Sequence, residues 1–329
     1  MKAFVTNKYG SPDILELQDV EKPVCKDNQV LVKVHATSIN YGNIVLLRGK
    51  PFVARFAFGM MKPKFNIPGG DISGTIETIG ENVKHFQVGD EVFGDLSSSG
   101  WGGFAEYVAV PENSIARKPK NISFEEAASL PMAASTAFQA LRNKGNLQEG
   151  QEVFIYGASG GVGTFAVQIA KALGANVTAV CSTRNVDIIK SLGIDHVIDY
   201  KKETIFEKDR TYDLILAING YQHMSEYLKA LKANGKFILV GGSPKQMPQA
   251  MFRSIGNKKI NIFMQSPKQE DLNFIKDLVE KNQLTAVIDR QFSFNELPDA
   301  FKYFEEGHAQ GKVVVKVSSY ESNGTPRIF

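Results

Sequence analysis

Hydrophobic and polar residues alternate along much of the first 120 positions. The runs "QVLVKVHATSI" (29–39), "GTIETIG" (74–80) and "GGFAEYVAV" (102–110) repeat every two residues, as β-strands with one buried face do. Gly, Asp and Pro separate these runs and indicate turns. The pattern predicts a compact, mostly antiparallel β domain.

A helical period begins after residue 122. Ser123 and Glu126 have the spacing of a capping box, in which each side chain accepts a hydrogen bond from the other residue's backbone N–H. We expect this helix to run towards Arg142, with a kink at Pro131 because proline has no backbone N–H to donate.

From Gln151 onward, short apolar runs alternate with amphipathic helical segments. The runs are "EVFIYGA", "NVTAVCS", "HVIDY", "YDLILAIN", "GKFILVGG" and "KINIFMQ". Such alternation predicts βαβ units and a doubly wound parallel sheet of six strands. The tail 286–317 returns to strand, helix and strand, which suggests that it completes the first domain. We therefore expect an α/β protein with one domain from residues 1–122 and 285–329 and a second from residues 123–284.

Composition narrows the classes of function. A hydrophobic content of 43% and a charged content of 22% fit a globular protein, and a net charge of +3 from 38 basic and 35 acidic residues argues against nucleic acid as a partner. Cys25 and Cys181 lack the spacing of a metal or redox pair. The amino end has no apolar signal core and no run of about 18 apolar residues follows, so we expect no membrane span and a cytoplasmic protein.

The most specific motif is the glycine-rich turn "YGASGGVG" (156–163). Ala158, Gly160 and Gly163 have the spacing of a dinucleotide-binding fingerprint, directly after a strand and at the start of a helix. Gly160 would let the backbone approach a pyrophosphate, and Gly163 would let the helix pack closely on the strand. A tight turn without a ligand is the simpler alternative.

The end of the second strand of this unit indicates which cofactor is used. In such domains a carboxylate there binds the ribose hydroxyls of NAD, whereas a basic residue nearby accommodates the 2′-phosphate of NADP. Here "VCSTRN" offers Ser182 and Arg184 and no carboxylate. Because a guanidinium forms charge-assisted hydrogen bonds with phosphate, the sequence predicts NADPH, unless Arg184 is only a solvated surface charge.

Several segments taken together resemble the medium-chain dehydrogenase/reductase superfamily, and within it the zinc-free quinone oxidoreductase-like branch. They are "SINYGN", "PGGDISGTIETIGENVKHFQVGDEVFG", "GGFAEYVAV", "AASLPMAASTAFQAL", "GASGGVG" and "GHAQGKVVVKV", and the likeness extends to about residue 317. The resemblance implies a GroES-like β domain made by both chain ends, with a Rossmann domain inserted between them and the active site in the cleft. It also implies a homodimer, with "KINIFMQ" as the edge strand that could pair across a two-fold axis.

The resemblance also implies which residues hold NADPH. The pyrophosphate would be held by Ser159, Gly160, Gly161 and Val162, and the adenosine phosphate by Ser182, Arg184 and Tyr200. The matching positions around the ribose, the nicotinamide and the closing terminal segment are Thr136, Asn40, Asn219, Gly241, Phe263, Met264, His308 and Lys312. Tyr200 and Phe263 could instead be core aromatics, and His308 could be a surface residue at a helix end.

No metal is expected. The zinc-dependent members carry a Cys in the segment matching "SINYGN", a "GHE" where this chain has "GGD" (69–71), and a lobe with four cysteines, none of which is found here. Alcohol oxidation without a Lewis acid lacks its main electrostatic aid, whereas hydride transfer to a quinone or to the β-carbon of an enone or enal does not need one. We expect a small apolar conjugated carbonyl or quinone as substrate, and Asp71 hydrogen-bonded to backbone amides or a basic side chain.

Asn40 and Tyr41 are the candidate catalytic residues. Tyr41 could donate a hydrogen bond to the developing oxyanion, and Asn40 could orient the nicotinamide amide or serve the same purpose. Tyr41 could equally be an ordinary residue at the domain surface. Quinone reductases of the family often carry a Tyr five places after the Asn that matches Asn40, and Val45 at that position weakens the assignment of quinone as substrate.

The segment "PFVARFAFGMMKPKF" (51–65) supplies aromatic and flexible apolar side chains. Phe56 and Met60 are candidate substrate contacts, but the segment could instead be a short helix that packs on its own domain or on a partner subunit. Two other functions fit the whole sequence. One is a protein that binds NADPH without turnover, as lens crystallins of this family do, and the other is an alcohol dehydrogenase with unusual metal ligands.

Overall fold

The computed structural model describes residues 1–206, 210–219, 222–241 and 259–317. The strands are β1 (Lys2–Val5), β2 (Glu16–Asp19), β3 (Gln29–Ile39), β4 (Asp71–Ile79), β5 (Glu91–Asp95), β6 (Tyr107–Pro111), β7 (Ile115–Arg117), β8 (Glu152–Tyr156), β9 (Asn176–Cys181), β10 (His196–Asp199), β11 (Tyr212–Ile218), β12 (Leu231–Val240), β13 (Lys259–Phe263), β14 (Ile288–Ser293) and β15 (Lys312–Lys316). The helices are α1 (Tyr41–Arg48), α2 (Arg55–Phe58), α3 (Phe124–Ser129), α4 (Pro131–Phe138), α5 (Gly161–Ala172), α6 (Val186–Ser191), α7 (Met224–Lys229), α8 (Gln269–Glu280) and α9 (Leu297–Glu305). Among these helices none is both long enough and apolar enough to cross a membrane.

A seven-stranded sheet combines strands from both ends of the described chain. Its order is β14-β15-β3-β4-β5-β7, and β6 pairs with β3 as well. All pairings are antiparallel except that of β14 with β15. Along β3 the side chains of Val30, Val32 and Val34 are buried in the core of this sheet, as the alternating sequence pattern predicts. The prediction of a mostly antiparallel β architecture is confirmed.

A second sheet has six parallel strands in the order β10-β9-β8-β11-β12-β13. In β8, Val153 and Ile155 pack in the core on one face, and Phe154 and Tyr156 pack in the core on the other. A strand buried on both faces has a continuous apolar sequence, because helices cover the sheet on both sides. The predicted doubly wound six-stranded sheet is confirmed.

The helical segment after residue 122 connects the two sheets. Ser123 and Glu126 form the predicted capping box, with Glu126 N–H donating to Ser123 Oγ at 3.2 Å and Ser123 N–H donating to Glu126 Oε2 at 2.8 Å. The segment is divided at Leu130 into α3 and α4, since Pro131 can begin a helix but cannot continue one. A π-helical stretch over Gln139–Lys144 extends α4. The alanines of α4 and the apolar side chains of α5 pack in one core.

Candidate functional site

A cleft of about 600 Å³ lies where three parts of the chain meet, and we refer to it as the interdomain cleft. One wall is formed by Ile39–Tyr41, at the end of β3 and the start of α1. The opposite wall is formed by loops at the carboxyl ends of β8, β9, β10 and β11, and residues 307–309 and Lys312 lie along a third side. The strand order reverses between β8 and β11, which is where open α/β sheets bind their ligands.

The glycine-rich turn after β8 contributes a helix N-terminus to this cleft. The first N–H groups of α5 have no intrahelical acceptor, as in any helix. Gly160, the N-cap residue, has no side chain that could accept hydrogen bonds from them. A Cβ at Gly163 would lie 2.1 Å from the Gly157 carbonyl oxygen, whereas a Cβ at Gly160 would lie 3.7 Å from the same atom. Close helix–strand packing therefore requires glycine at 163, while Gly160 has room on its cleft side. This geometry fits a pyrophosphate.

Among the described residues that line the cleft, the charged side chains are basic. The Arg184 guanidinium donates to the His308 carbonyl oxygen at 2.6 Å, and both residues line the cleft together with Lys201. Tyr200 lies beside Tyr156 with nearly parallel rings, whose centroids are 6.3 Å apart. No Asp or Glu is among the described residues that line this cleft, so its electrostatic character favours an anionic ligand.

Asn185 connects the glycine-rich turn to the end of β9. Its Nδ2 donates to Ser159 Oγ at 2.7 Å and to Ser182 Oγ at 3.2 Å, which sets the positions of two predicted cofactor residues. The Asn185 side chain is buried, and within the described chain its Oδ1 accepts no hydrogen bond. The turn is thus held in place by an amide that none of the sequence motifs indicates.

The terminal segment is joined directly to the same turn. Gly311 N–H donates to the Ser159 carbonyl oxygen at 2.9 Å, and Gly160 and Gly311 form an isolated parallel bridge. The aliphatic stem of Lys312 passes the turn closely, because a Cβ at Gly161 would lie 3.0 Å from Lys312 Cδ. The segment that the resemblance assigns to closing the site is therefore already in contact with the turn.

Behind the cleft, Lys312 enters a buried polar cluster centred on Asp71. Asp71 Oδ2 accepts from Ser38 Oγ at 2.7 Å, from Asn40 Nδ2 at 2.7 Å and from Lys312 Nζ at 3.5 Å, and Oδ1 accepts from the Met132 N–H at 2.9 Å. Lys312 Nζ also donates to Asn40 Oδ1 and to the Ile39 carbonyl oxygen. Asp71 is fully buried. The expectation that it hydrogen-bonds backbone amides or a basic side chain is confirmed by its contacts with the Met132 N–H and Lys312.

Charge and burial shift the pKa values in this cluster. Burial lowers the pKa of Lys312, and the nearby Asp71 carboxylate opposes that effect. Asp95 lies opposite Asp71 in the pairing of β4 with β5, and burial together with the Asp71 charge raises the pKa of Asp95 to about 7. The Ser97 N–H and Gln265 Nε2 donate to the Asp95 carboxyl group at 2.9 and 3.1 Å. Across the described ranges, no three His, Cys, Asp or Glu side chains form a group that could hold a metal ion.

Most of the predicted site residues are brought together by the fold. Those that line the interdomain cleft are Asn40, Tyr41, Ser159, Gly160, Gly161, Val162, Ser182, Arg184, Tyr200, Asn219, His308 and Lys312. Gly241 adjoins it, since a Cβ at Gly241 would lie 2.6 Å from Asn219 Oδ1. The ligand contacts of all these residues stay predictions.

Five predicted residues do not line the cleft. Thr136 is buried in α4 and its hydroxyl donates to the Met132 carbonyl oxygen at 2.6 Å, and Phe263 packs in the core at the end of β13. The side chains of Met264, Phe56 and Met60 are 84%, 73% and 46% exposed. The described structure does not place these five side chains in the lining of the cleft, and their ligand contacts stay predictions.

Two family models match this chain. The alcohol dehydrogenase GroES-like domain matches residues 26–120, and a model described as zinc-binding dehydrogenase matches residues 192–315. The first range coincides with most of the antiparallel sheet, and the second includes the later strands of the parallel sheet and the return to β14 and β15.

Named relatives are similar over nearly the whole chain. The chloroplast envelope quinone oxidoreductase homolog of Arabidopsis thaliana is 35% identical over 331 residues, which cover 96% of this chain and 98% of that protein. The NADPH-dependent alkenal/one oxidoreductase, chloroplastic, of the same plant is 33% identical over 96% of this chain and 79% of that protein. The solved structure of the quinone oxidoreductase from Coxiella burnetii has a TM-score of 0.87 and 31% identity, covering 97% of this chain and 99% of that one. With both sheets, the glycine-rich turn and these full-length matches in place, the chain belongs to the medium-chain dehydrogenase/reductase superfamily, in its quinone oxidoreductase-like branch.

Proposed function

We propose that this protein transfers a hydride from NADPH to an α,β-unsaturated carbonyl compound or a quinone, without a bound zinc ion. The observation that carries the proposal is the composition of the interdomain cleft, which has a phosphate-binding turn and basic side chains on one wall and Asn40 and Tyr41 on the opposite wall. The names of the two Arabidopsis relatives, a quinone oxidoreductase homolog and an NADPH-dependent alkenal/one oxidoreductase, support the same class of reaction.

The residues of the nucleotide-binding wall fit NADPH. The free N–H groups at the start of α5 would bind the pyrophosphate, and Arg184 and Lys201 supply positive charge for a 2′-phosphate. The absence of acidic side chains among the described lining residues removes the repulsion that would disfavour NADPH relative to NADH. NADPH, when bound, supplies the hydride that reduces the substrate.

On the opposite wall, Tyr41 and Asn40 can stabilise the oxygen that gains negative charge. Tyr41 begins α1 and is 55% exposed, so its phenol O–H is free to turn towards a substrate carbonyl. Asn40 uses one amide hydrogen for Asp71, which leaves its second amide hydrogen for the nicotinamide amide or the substrate oxygen. A proton from solvent then adds to the α-carbon of the enolate, which gives the saturated carbonyl compound, or to the oxygen of the quinolate, which gives the quinol.

The proposal of a zinc-independent reaction is supported by the bonding of Asp71. Asp71 stands at the position of the last residue of "GHE" in the zinc-dependent members, and the position before it is Gly70, which has no ligating side chain. Both Asp71 oxygens are committed to protein donors, including the backbone N–H at the start of α4. Removing a metal should therefore leave turnover unchanged.

The test is NADPH oxidation by the purified protein with a panel of enones, enals and quinones, with and without a chelator. We expect turnover on some members of the panel, no effect of the chelator, and no stoichiometric zinc by metal analysis. Tight NADPH binding without any turnover would instead indicate a binding protein. Stoichiometric zinc together with chelator-sensitive alcohol oxidation would indicate an alcohol dehydrogenase.

We also propose that two copies of the chain form a homodimer. β13 is the last strand in the order of the described parallel sheet, and a strand at that place presents an edge that could pair with its copy across a two-fold axis. The sedimentation mass of the purified protein tests this. The cytoplasmic location and the domain boundaries 1–122 with 285–329 and 123–284 stay predictions.

A further inference from the structure

Residues 48–65, referred to here as the 48–65 segment, present apolar side chains on the protein surface. They include α2 and the loops on either side of it. Within the segment, the large apolar side chains with the greatest exposure are Phe52 at 60%, Val53 at 67%, Phe56 at 73% and Met61 at 94%. Single exposed apolar residues are common, but four of them within ten positions form a patch that needs an explanation.

Contacts with the rest of the protein hold the segment in this orientation. The Tyr9 hydroxyl donates to the Gly59 carbonyl oxygen at 2.5 Å, and the Arg55 guanidinium lies 4.4 Å from the centre of the Tyr9 ring. Phe58 contacts Trp101 edge to face, with ring centroids 6.0 Å apart. Because Phe58 and Arg55 are directed inward, their neighbours on the short helix and the flanking loops are directed outward.

The same segment is strongly basic. It contains Arg48, Lys50, Arg55, Lys62 and Lys64, and no Asp or Glu. Arg48 pairs with Glu305 at 2.6 Å, and the ion pairs formed within the described chain involve none of the other four. An exposed patch that combines aromatic and aliphatic side chains with unneutralised cations has the composition of a surface that binds the head-group region of anionic bilayers.

The segment lies beside the interdomain cleft. It follows directly from α1, whose first residue Tyr41 lines the cleft, and Arg48 ties it to Glu305 at the end of α9. Residues 307–309 and Lys312, which lie along the cleft, follow that helix closely in the chain. A partner of the 48–65 segment would therefore be close to the place where a substrate enters.

We propose that the 48–65 segment binds the surface of membranes that contain anionic lipids. Val53, Phe52 and Met61 enter the head-group region, while Lys62 and Lys64 lie beside lipid phosphates and carboxylates. This binding goes beyond the proposed reaction and does not depend on it, but it would bring the cleft to the bilayer in which apolar quinones and alkenals dissolve.

The experiment is co-sedimentation of the full chain with vesicles of phosphatidylcholine alone or with about one third phosphatidylserine. The variants are Lys62→Gln/Lys64→Gln and Val53→Ser/Met61→Ser, and Lys84→Gln/Lys120→Gln is the matched control, since these two exposed lysines lie on other loops of the protein. We expect the wild type to bind only the vesicles that contain phosphatidylserine. Because each lysine contributes about fivefold to the affinity, the Lys62→Gln/Lys64→Gln variant should bind them roughly 25-fold more weakly. The Val53/Met61 variant should also bind more weakly, and the control should bind like the wild type.

Thermal unfolding midpoints show that each variant is folded, without reference to any enzymatic activity. The proposal is overturned if the wild type does not bind phosphatidylserine vesicles, or if the control loses as much binding as the Lys62/Lys64 variant. It is also overturned if the Val53/Met61 variant changes only the sedimentation mass of the protein, because the patch is then an interface between copies of this chain. Loss of vesicle binding in both patch variants with unchanged unfolding midpoints supports it.

Discussion

Replacing Lys312 by methionine should destabilise the protein, and replacing Asp71 by asparagine in the same chain should recover much of the loss. Lys312 is only 2% exposed and Asp71 is fully buried, so neither charge can be solvated by water when its partner is removed. Methionine keeps most of the aliphatic stem that packs beside Gly161, and the substitution therefore removes mainly the ammonium group.

The magnitude follows from the hydrogen bonds that remain. In Lys312→Met the Asp71 carboxylate keeps three donors, which are Ser38 Oγ, Asn40 Nδ2 and the Met132 N–H. Removing one member of a buried ion pair costs about 3–5 kcal/mol, and three remaining donors place this case near about 3 kcal/mol. Removing both charges leaves neither member of the pair as an unpaired buried ion, so the double variant should lie within about 1 kcal/mol of the wild type.

The assay is urea unfolding at neutral pH, followed by the fluorescence of Trp101. This is the only tryptophan of the chain, and a Cβ at Gly70 would lie 3.3 Å from its ring, so it reports on the neighbourhood of Asp71. Lys316→Met is the matched control, because Lys316 is also on β15 but is 61% exposed and pairs with Glu125 at the surface. Such a pair contributes at most about 1 kcal/mol. Equal losses in the Lys312 and Lys316 variants, or strictly additive losses in the double variant, would refute the reasoning.

Three further predictions concern the cleft and its surroundings. Gly163→Ala should lower the free energy of unfolding by at least about 2 kcal/mol, because its Cβ would clash with the Gly157 carbonyl oxygen. Gly160→Ala should leave the unfolding midpoint unchanged and weaken NADPH binding in a titration. Equal unfolding midpoints for the two variants would contradict this prediction. Arg184→Glu should weaken NADPH binding roughly 100-fold and NADH binding little, because one charge-assisted contact with the 2′-phosphate is lost. An equal loss for both cofactors would show that Arg184 does not determine the preference for NADPH. The raised pKa of Asp95 means that between about pH 4 and its folded-state pKa of about 7 the folded protein holds a proton that the unfolded chain has lost. Stability should therefore fall by up to about 1.4 kcal/mol per pH unit as the pH rises through this window, and Asp95→Asn should flatten that part of the profile in denaturant titrations.

The fold could be predicted from the sequence where the signal is local. The capping box of Ser123 and Glu126, the break before Pro131 and the turn with Gly160 depend on residues a few positions apart, and the structure has all three. The position of Lys201 in the lining of the cleft was predictable as well. It follows β10, which is the neighbour of β9 in the parallel sheet, and the carboxyl ends of neighbouring parallel strands face the same ligand.

Which side chains of the 48–65 segment are exposed could not be predicted from the sequence in the same way. Its apolar residues have the composition of a core helix or of a substrate pocket, and only the contacts of Tyr9 and Trp101 with the segment decide which side chains face inward. Tyr9 is 50 positions away from Gly59, its hydrogen-bond partner. No periodicity within the segment contains that information, so the sequence could not show that Phe56, a predicted substrate contact, is 73% exposed.

The cluster around Asp71 shows most clearly why the contacts of the site could not be predicted from the sequence without the fold. The donors to this carboxylate come from positions between 31 and 241 residues away in the chain, so no motif could reveal them. Their arrangement also explains why a buried charge pair is found beside the cleft. Asp71 can only accept and Lys312 can only donate, so the Asn40 amide between them has one orientation, with Nδ2 towards Asp71 and Oδ1 towards Lys312. A neutral pair of the same shape could be more stable, but it would allow the amide to flip. The two charges therefore determine which atoms of Asn40 a nicotinamide amide or a substrate oxygen meets.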